Sequence, residues 1–164
     1  MFTCEIMDLA DGVLHACRAR GWHLATAESC TGGLVAAALT AIAGSSDVVE
    51  RGFVTYSNEA KSELLGVPPA TIAAHGAVSA ETAEAMAEGV IVRAPVDLAV
   101  SITGVAGPGG GSAQKPVGLV IFGLARRNGE CRSERRVFAG DRAAVREAAL
   151  EVALRLLADA AAPQ

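Results

Sequence analysis

Two runs of strand-forming residues, 117–127 and 130–139, are separated only by Asn128-Gly129. A two-residue connection of this kind needs positive φ at both central positions, which Asn and Gly tolerate, so the pair dictates a tight antiparallel hairpin. Upstream of it, helical and strand patterns alternate, which dictates a layered α/β arrangement. The expected fold is therefore a three-layer α/β/α sandwich with a mixed sheet and a C-terminal β-hairpin, built as a single domain over residues 1–164.

The remaining elements follow from periodicity and punctuation. Residues 5–20 place Ile6, Leu9, Ala10, Val13, Leu14 and Cys17 at helical spacing, and Gly21 stops the run. Residues 22–27 read as a strand, 28–30 as a turn and 31–42 as a buried helix. Residues 44–47 are a loop. The β-branched and aromatic run 52–57 predicts a strand, with Asn58 capping a helix that Gly66 ends. Pro68-Pro69 breaks the chain, and residues 71–74 form a short helix. Ser79 caps a helix to about residue 93. Residues 97–103 form an apolar central strand, followed by a Gly-rich loop over 104–116. Asp141 caps a last helix to about residue 160.

Composition removes several functional classes. Apolar residues are 51% and charged residues 20% of the chain, a globular balance that excludes a largely disordered protein. A formal charge of −4 and only 4% aromatic residues argue against a direct nucleic-acid partner. Arg126, Arg127, Arg132, Arg135 and Arg136 are expected to alternate along an exposed ribbon, diluted by Glu130 and Glu134. No apolar run approaches the ~20 residues of a membrane-spanning helix. The N-terminal stretch carries Glu5, Asp8 and Asp11 and does not read as a signal peptide, so a cytoplasmic location without a membrane partner is expected. Cys4, Cys17, Cys30 and Cys131 form no C-x-x-C pair and are expected as free thiols. His15, His23 and His75 are scattered, so no metal and no cofactor is expected. A homo-oligomer is expected.

Three segments read as chemistry rather than packing. In Thr26-Ala27-Glu28-Ser29-Cys30-Thr31-Gly32-Gly33 a strand runs directly into a helix. The first N–H groups of a helix lack internal partners, so a Ser hydroxyl at this bend lies beside free donors, the arrangement an oxyanion hole needs. Ser29 is accordingly a nucleophile, or Ser29 or Thr31 is simply an N-cap. In Tyr56-Ser57-Asn58-Glu59-Ala60-Lys61, the lysine falls in the first turn of a helix, where the macrodipole favours the neutral amine. A general base near neutral pH must hold its proton less tightly than an ordinary lysine by roughly 3–4 kcal/mol, so burial has to add to the dipole. A solvated surface lysine is the other reading. Lys61 and Lys115 are the only lysines beside 12 arginines. Arginine cannot act as a base, so a lysine in such a chain either stands where arginine would fail or stands there by chance. The third segment, 103–111, is a Gly-rich loop after an apolar strand, where open α/β sheets bind ligands. It is neither a Walker loop nor a dinucleotide fingerprint, and a plain flexible loop fits it equally.

Taken together, these stretches resemble the C-terminal domain of the CinA (competence/damage-inducible) family, which includes the PncC-type nicotinamide-nucleotide amidohydrolases. The likeness rests on Thr-Ala-Glu-Ser-Cys-Thr-Gly-Gly from Thr26, Gly-Ser-Ser from Gly44, Gly-Phe-Val-Thr-Tyr-Ser-Asn from Gly52, and Lys61. It continues through Leu-Gly-Val from Leu65, His-Gly-Ala-Val-Ser from His75, Ile-Thr-Gly-Val-Ala-Gly-Pro from Ile102, Lys-Pro-Val-Gly from Lys115 and Phe-Ala-Gly-Asp-Arg from Phe138. It spans about residues 5–160, and the upstream nucleotide-binding domain of longer members has no counterpart in this sequence, so the likeness is to the standalone form. The resemblance implies hydrolysis of the carboxamide of nicotinamide mononucleotide (NMN) to nicotinate mononucleotide and ammonia. It implies Ser29 as nucleophile, Lys61 as its base and Tyr56 as an assistant. It also implies a small-molecule nucleotide substrate touching Cys30, Thr31, Gly32, Gly33, Thr103, Gly104 and Arg142. The chain departs from the family pattern at Leu119, where Thr is commoner. If that position lines the pocket, an altered substrate preference is expected. The competing expectation is a non-catalytic nucleotide-binding or competence-associated accessory protein.

Overall fold

In a computed structural model describing residues 1–163, five strands form one sheet. In chain order the elements are α1 (Cys4–Arg20), β1 (Leu24–Glu28), α2 (Leu34–Thr40), a 3-10 turn (Ser45–Asp47), β2 (Val49–Val54), α3 (Asn58–Leu65), α4 (Pro69–His75), α5 (Ala80–Arg93), β3 (Leu98–Gly104), β4 (Leu119–Arg126), β5 (Cys131–Val137) and α6 (Arg142–Ala161). The strand order is β2-β1-β3-β4-β5. β1 runs parallel to both β2 and β3, whereas β3–β4 and β4–β5 are antiparallel. The mixed sheet and the hairpin are as expected, but its turn is not: Asn128 takes φ 56° while Gly129 has no positive φ, and the Gly129 N–H donates to the Arg126 carbonyl, so Arg127 and Asn128 are the central residues.

Side-chain alternation along the strands explains the three layers. Leu98, Val100 and Ile102 of β3 and Leu24 of β1 face α1, α2 and α6, where they join Val13, Leu14, Val35, Leu39, Val145, Leu154 and Leu157 in the larger core. Ala25, Ala27 and Ala99 face the other way and pack with Leu65, Met86 and Val90 under α3 and α5. Thr26 and Glu28 share the parity of Leu24, so they lie on the α2 side of the sheet.

Several boundaries differ from expectation, and each difference bears on the site. The helix expected over 31–42 begins only at Leu34. Gly32 and Gly33 sit at φ 60° and 101°, left-handed values that stop a helix from starting and leave residues 29–33 as a turn. The strand expected over 52–57 lies at Val49–Val54, and Ser57 rather than Asn58 caps α3, its Oγ accepting from the Ala60 N–H. α4 starts at Pro69, whose missing N–H costs nothing at a first helical position. Arg127 does not stay on the exposed ribbon: its guanidinium donates to the carbonyls of Ile91, Ala94 and Val96 at the end of α5. No helix among the described residues is long and apolar enough to cross a membrane.

Candidate active site

β1 and β2 are parallel neighbours, so their C-terminal ends open on the same edge of the sheet. The Thr55 N–H donates to the Glu28 carbonyl at 2.9 Å, extending that pairing past β2. On the other side of β1, the Ser29 N–H donates to the Ile102 carbonyl of β3. The turn after β1 is thereby pinned between two strands. The chain after β2 leads into α3, and Lys61 reaches back from its first turn.

The Lys61 amine lies 3.1 Å from the Ser29 hydroxyl. It also sits 2.9 Å from the Thr55 carbonyl, 3.4 Å from that of Tyr56 and 3.5 Å from that of Ser57. Lys61 is 1% exposed and Ser29 8% exposed. Among the described residues the amine has no carboxylate partner within salt-bridge distance. Burial pulls the Lys61 amine below its ordinary pKa, because the loss of water around the charged form outweighs the opposing pull of Glu59. A neutral amine holds two N–H donors and one lone pair. Carbonyls take the donors, and the lone pair can accept the Ser29 hydroxyl proton. Cys30, beside this pair, is also buried, and desolvation pushes its thiol up to about 11. It stays a neutral thiol at neutral pH, a poor nucleophile beside a hydroxyl that has an amine partner.

The donors around Ser29 are distributed differently from expectation. The Glu28 carboxylate is fully buried and accepts from the N–H groups of Gly33 (3.0 Å), Val35 (3.1 Å) and Ala36 (2.9 Å), and from the Thr26 hydroxyl (3.2 Å). An anion supplied by the protein itself thus fills the start of α2. The Gly32 N–H closes the turn on the Ser29 carbonyl at 3.0 Å. Gly32 and Gly33 therefore offer no free N–H to a substrate. The Cys30 and Thr31 N–H groups differ in having no protein acceptor among the described residues, and Thr31 is fully buried. Unpaired buried N–H groups are rare, and two in succession beside a hydroxyl form a receptor for a negative oxygen.

Arg142, at the start of α6, donates to the Gly107 carbonyl and to the Tyr56 hydroxyl, each at 2.9 Å. Tyr56 is 59% exposed, and its hydroxyl bonds neither Ser29 nor Lys61. Its ring stands with Arg142 at the rim, and its backbone carbonyl is the part that meets the lysine. A cleft of about 650 Å³ adjoins this rim, lined by Ala106, Pro108, Val117, Asp141, Arg142 and Arg146 among others. Thr103 is 1% exposed, and its hydroxyl donates to the Ala77 carbonyl at 2.7 Å. Gly104 pairs with Val120 of β4. Both occupy the C-terminal end of β3, next to the strand carrying Ser29, with the Thr103 hydroxyl turned to the α4–α5 connection. Leu119 packs with Ala83, Ile121 and Val78 in a small apolar cluster, so the departure at this position changes packing rather than the cleft. Among the described residues, no three His, Cys, Asp or Glu side chains gather where they could hold a metal.

Two residues of this site were not assigned from the sequence. Glu28 carried a readable signal, a lone charge in an apolar strand that has to be paired once buried. Arg146 carried a weaker one, its place four residues after Arg142 on the same helix face. It donates from Nε to the Cys30 carbonyl (3.1 Å) and from Nη2 to the Thr31 carbonyl (3.0 Å).

The model of the CinA C-terminal domain matches residues 6–161. The chain belongs to the CinA C-terminal domain family. Nicotinamide-nucleotide amidohydrolase PncC of Escherichia coli strain K12 is 53% identical to this CinA domain over 157 residues, covering 96% of this chain and 95% of that protein. PncC of Enterobacter agglomerans is 54% identical over 144 residues, 85% of this chain and 88% of its own. The crystal structure of competence/damage inducible protein CihA from Agrobacterium tumefaciens superposes with a TM-score of 0.93 at 48% identity, over 96% of each chain. The α/β fold of this CinA domain is thus that of solved members.

Proposed function

We propose that this chain is an amidohydrolase that cleaves the carboxamide of NMN, giving nicotinate mononucleotide and ammonia. The observation that carries the reading is the buried contact between the Ser29 hydroxyl and a Lys61 amine that has no carboxylate beside it. The two PncC relatives, named nicotinamide-nucleotide amidohydrolases, supply the substrate class.

The neutral Lys61 amine takes the Ser29 proton as Oγ attacks the carboxamide carbon. The oxyanion that forms is received by the Cys30 and Thr31 N–H groups. Lys61, now an ammonium, returns its proton to the carboxamide nitrogen, the C–N bond breaks and ammonia leaves. A water then attacks the Ser29 ester with Lys61 again as base, and as the C–O bond breaks Lys61 returns that proton to Ser29 Oγ, releasing the nicotinate product and restoring the neutral amine. The nucleotide phosphate is held at the Arg142 rim of the cleft by charge-assisted hydrogen bonds.

Ammonia release from NMN by wild type, Ser29→Ala and Lys61→Arg tests the reading. Turnover by wild type alone supports it. Arginine keeps the charge but accepts no proton, so activity in Lys61→Arg would remove the lysine as base. Ligand-induced stabilisation by NMN without any ammonia would instead mark a binding module.

A further inference from the structure

We propose that Arg146 is the positioning residue of the oxyanion hole: from α6 it holds the peptide plane of the free Thr31 N–H directly and that of the free Cys30 N–H through the Gly32 N–H. This inference rests on the Ser29–Lys61 reading above and concerns the same site.

The argument follows from the planarity of the peptide bond, which places each C=O opposite the N–H of the next residue. The carbonyl of Cys30 shares its plane with the N–H of Thr31. Arg146 Nε holds that carbonyl, so the Thr31 N–H is turned away from the guanidinium. The carbonyl of Thr31 shares its plane with the N–H of Gly32, and Arg146 Nη2 holds that carbonyl. The Gly32 N–H in turn donates to the Ser29 carbonyl, whose plane carries the Cys30 N–H. Both free donors therefore trace back to one guanidinium, one directly and the other through a single hydrogen bond.

The charge adds to the geometry. A cation on a carbonyl oxygen draws electrons from the amide and strengthens its N–H as a donor, an effect transmitted along hydrogen-bonded peptides. Among the described residues, Arg146 donates to both carbonyls of the turn that carries Ser29 and has no carboxylate partner. Lysine cannot reproduce this, because a single ammonium lacks the planar fork that spans two carbonyls. Among the described residues nothing else holds the Cys30 and Thr31 carbonyls, apart from the Leu34 N–H at 3.3 Å from the latter.

The test uses two readouts on the full chain. Covalent labelling of Ser29 by a fluorophosphonate, located by mass spectrometry, needs the nucleophile, its base and the oxyanion donors but no nucleotide pocket. Steady-state hydrolysis of NMN separates kcat from KM. Arg146→Met is expected to slow labelling and kcat by about 100-fold, as when oxyanion donors are lost, with KM within threefold. Arg146→Lys is expected to fall between, and methylguanidinium is expected to restore part of the Arg146→Ala rate. Arg155→Met, on the exposed face of α6, serves as the control for an arginine lost elsewhere. Labelling of Arg146→Met at the wild-type rate would overturn the proposal. So would a raised KM with kcat kept, which would make Arg146 a substrate contact. Labelling that depends on Arg146 in a protein releasing no ammonia from NMN would remove the substrate reading and leave the positioning role standing. A wild type whose Ser29 takes no label would remove both.

Discussion

The Lys61 amine meets the Ser29 hydroxyl at 3.1 Å from an element 32 positions away, with neutral oxygens as its recorded partners. In the proposed hydrolysis the neutral amine of that pair is the base. Because burial lowers the Lys61 pKa, the active amine form persists to lower pH than in an ordinary lysine.

Activity is therefore expected to rise with pH through the lowered Lys61 pKa and then to level off. The stability of wild type relative to Lys61→Met follows the same sign. The unfolded chain binds the proton up to ~10.4 while the folded chain has already released it, so relative stability grows as pH rises across that window. Below the folded pKa both states are protonated and the full burial penalty remains. Thermal melts of the two proteins across pH check this. A gap that shrinks with rising pH would contradict it.

Glu28→Gln is expected to cost about 2–4 kcal/mol, because an amide NH₂ would face N–H donors that both carboxylate oxygens now accept. In a chain of this size that corresponds to a fall of roughly 5–10 °C in Tm. An unchanged melting curve would show that the carboxylate does not hold the start of α2.

Tyr56→Phe is expected to leave kcat within about twofold, because the hydroxyl bonds Arg142 and not the Ser29–Lys61 pair. Arg142→Ala is expected to raise KM for NMN by about tenfold or more, the scale of a lost charge-assisted contact, and to affect nicotinamide riboside, which lacks the phosphate, far less. Steady-state kinetics on both substrates decides. A collapse of kcat in Tyr56→Phe would return the tyrosine to the proton path.

Thr55→Val is expected to raise stability by about 1 kcal/mol. The Thr55 hydroxyl is buried without a hydrogen-bond partner, whereas its backbone carbonyl serves Lys61. An apolar group of the same shape removes an unpaired polar atom and leaves that carbonyl in place. Chemical denaturation of the two proteins measures the difference, and a loss would show that the hydroxyl is engaged.

The sequence by itself determined the alternation of helices and strands, the Asn128-Gly129 hairpin and the residue types of the pair. These are local properties: φ preferences, capping groups and apolar spacing act over a few residues. Ser29 was legible because a hydroxyl stands where a strand turns before two glycines, and Lys61 because lysine is rare in this chain. The tertiary structure decided everything that required two distant segments to meet. Parallel pairing of β1 and β2 brought the lysine to the serine. The fold of Glu28 under α2 withdrew Gly33 as a donor, the closing of the turn on the Ser29 carbonyl withdrew Gly32, and Cys30 and Thr31 were left free. Arg142 drew the Tyr56 hydroxyl to the rim across 86 positions, and Arg146 reached the turn that carries Ser29 from 115 and 116 positions away. Hydrogen-bond partners at such separations are fixed by packing of whole layers, and no local preference along the chain encodes them.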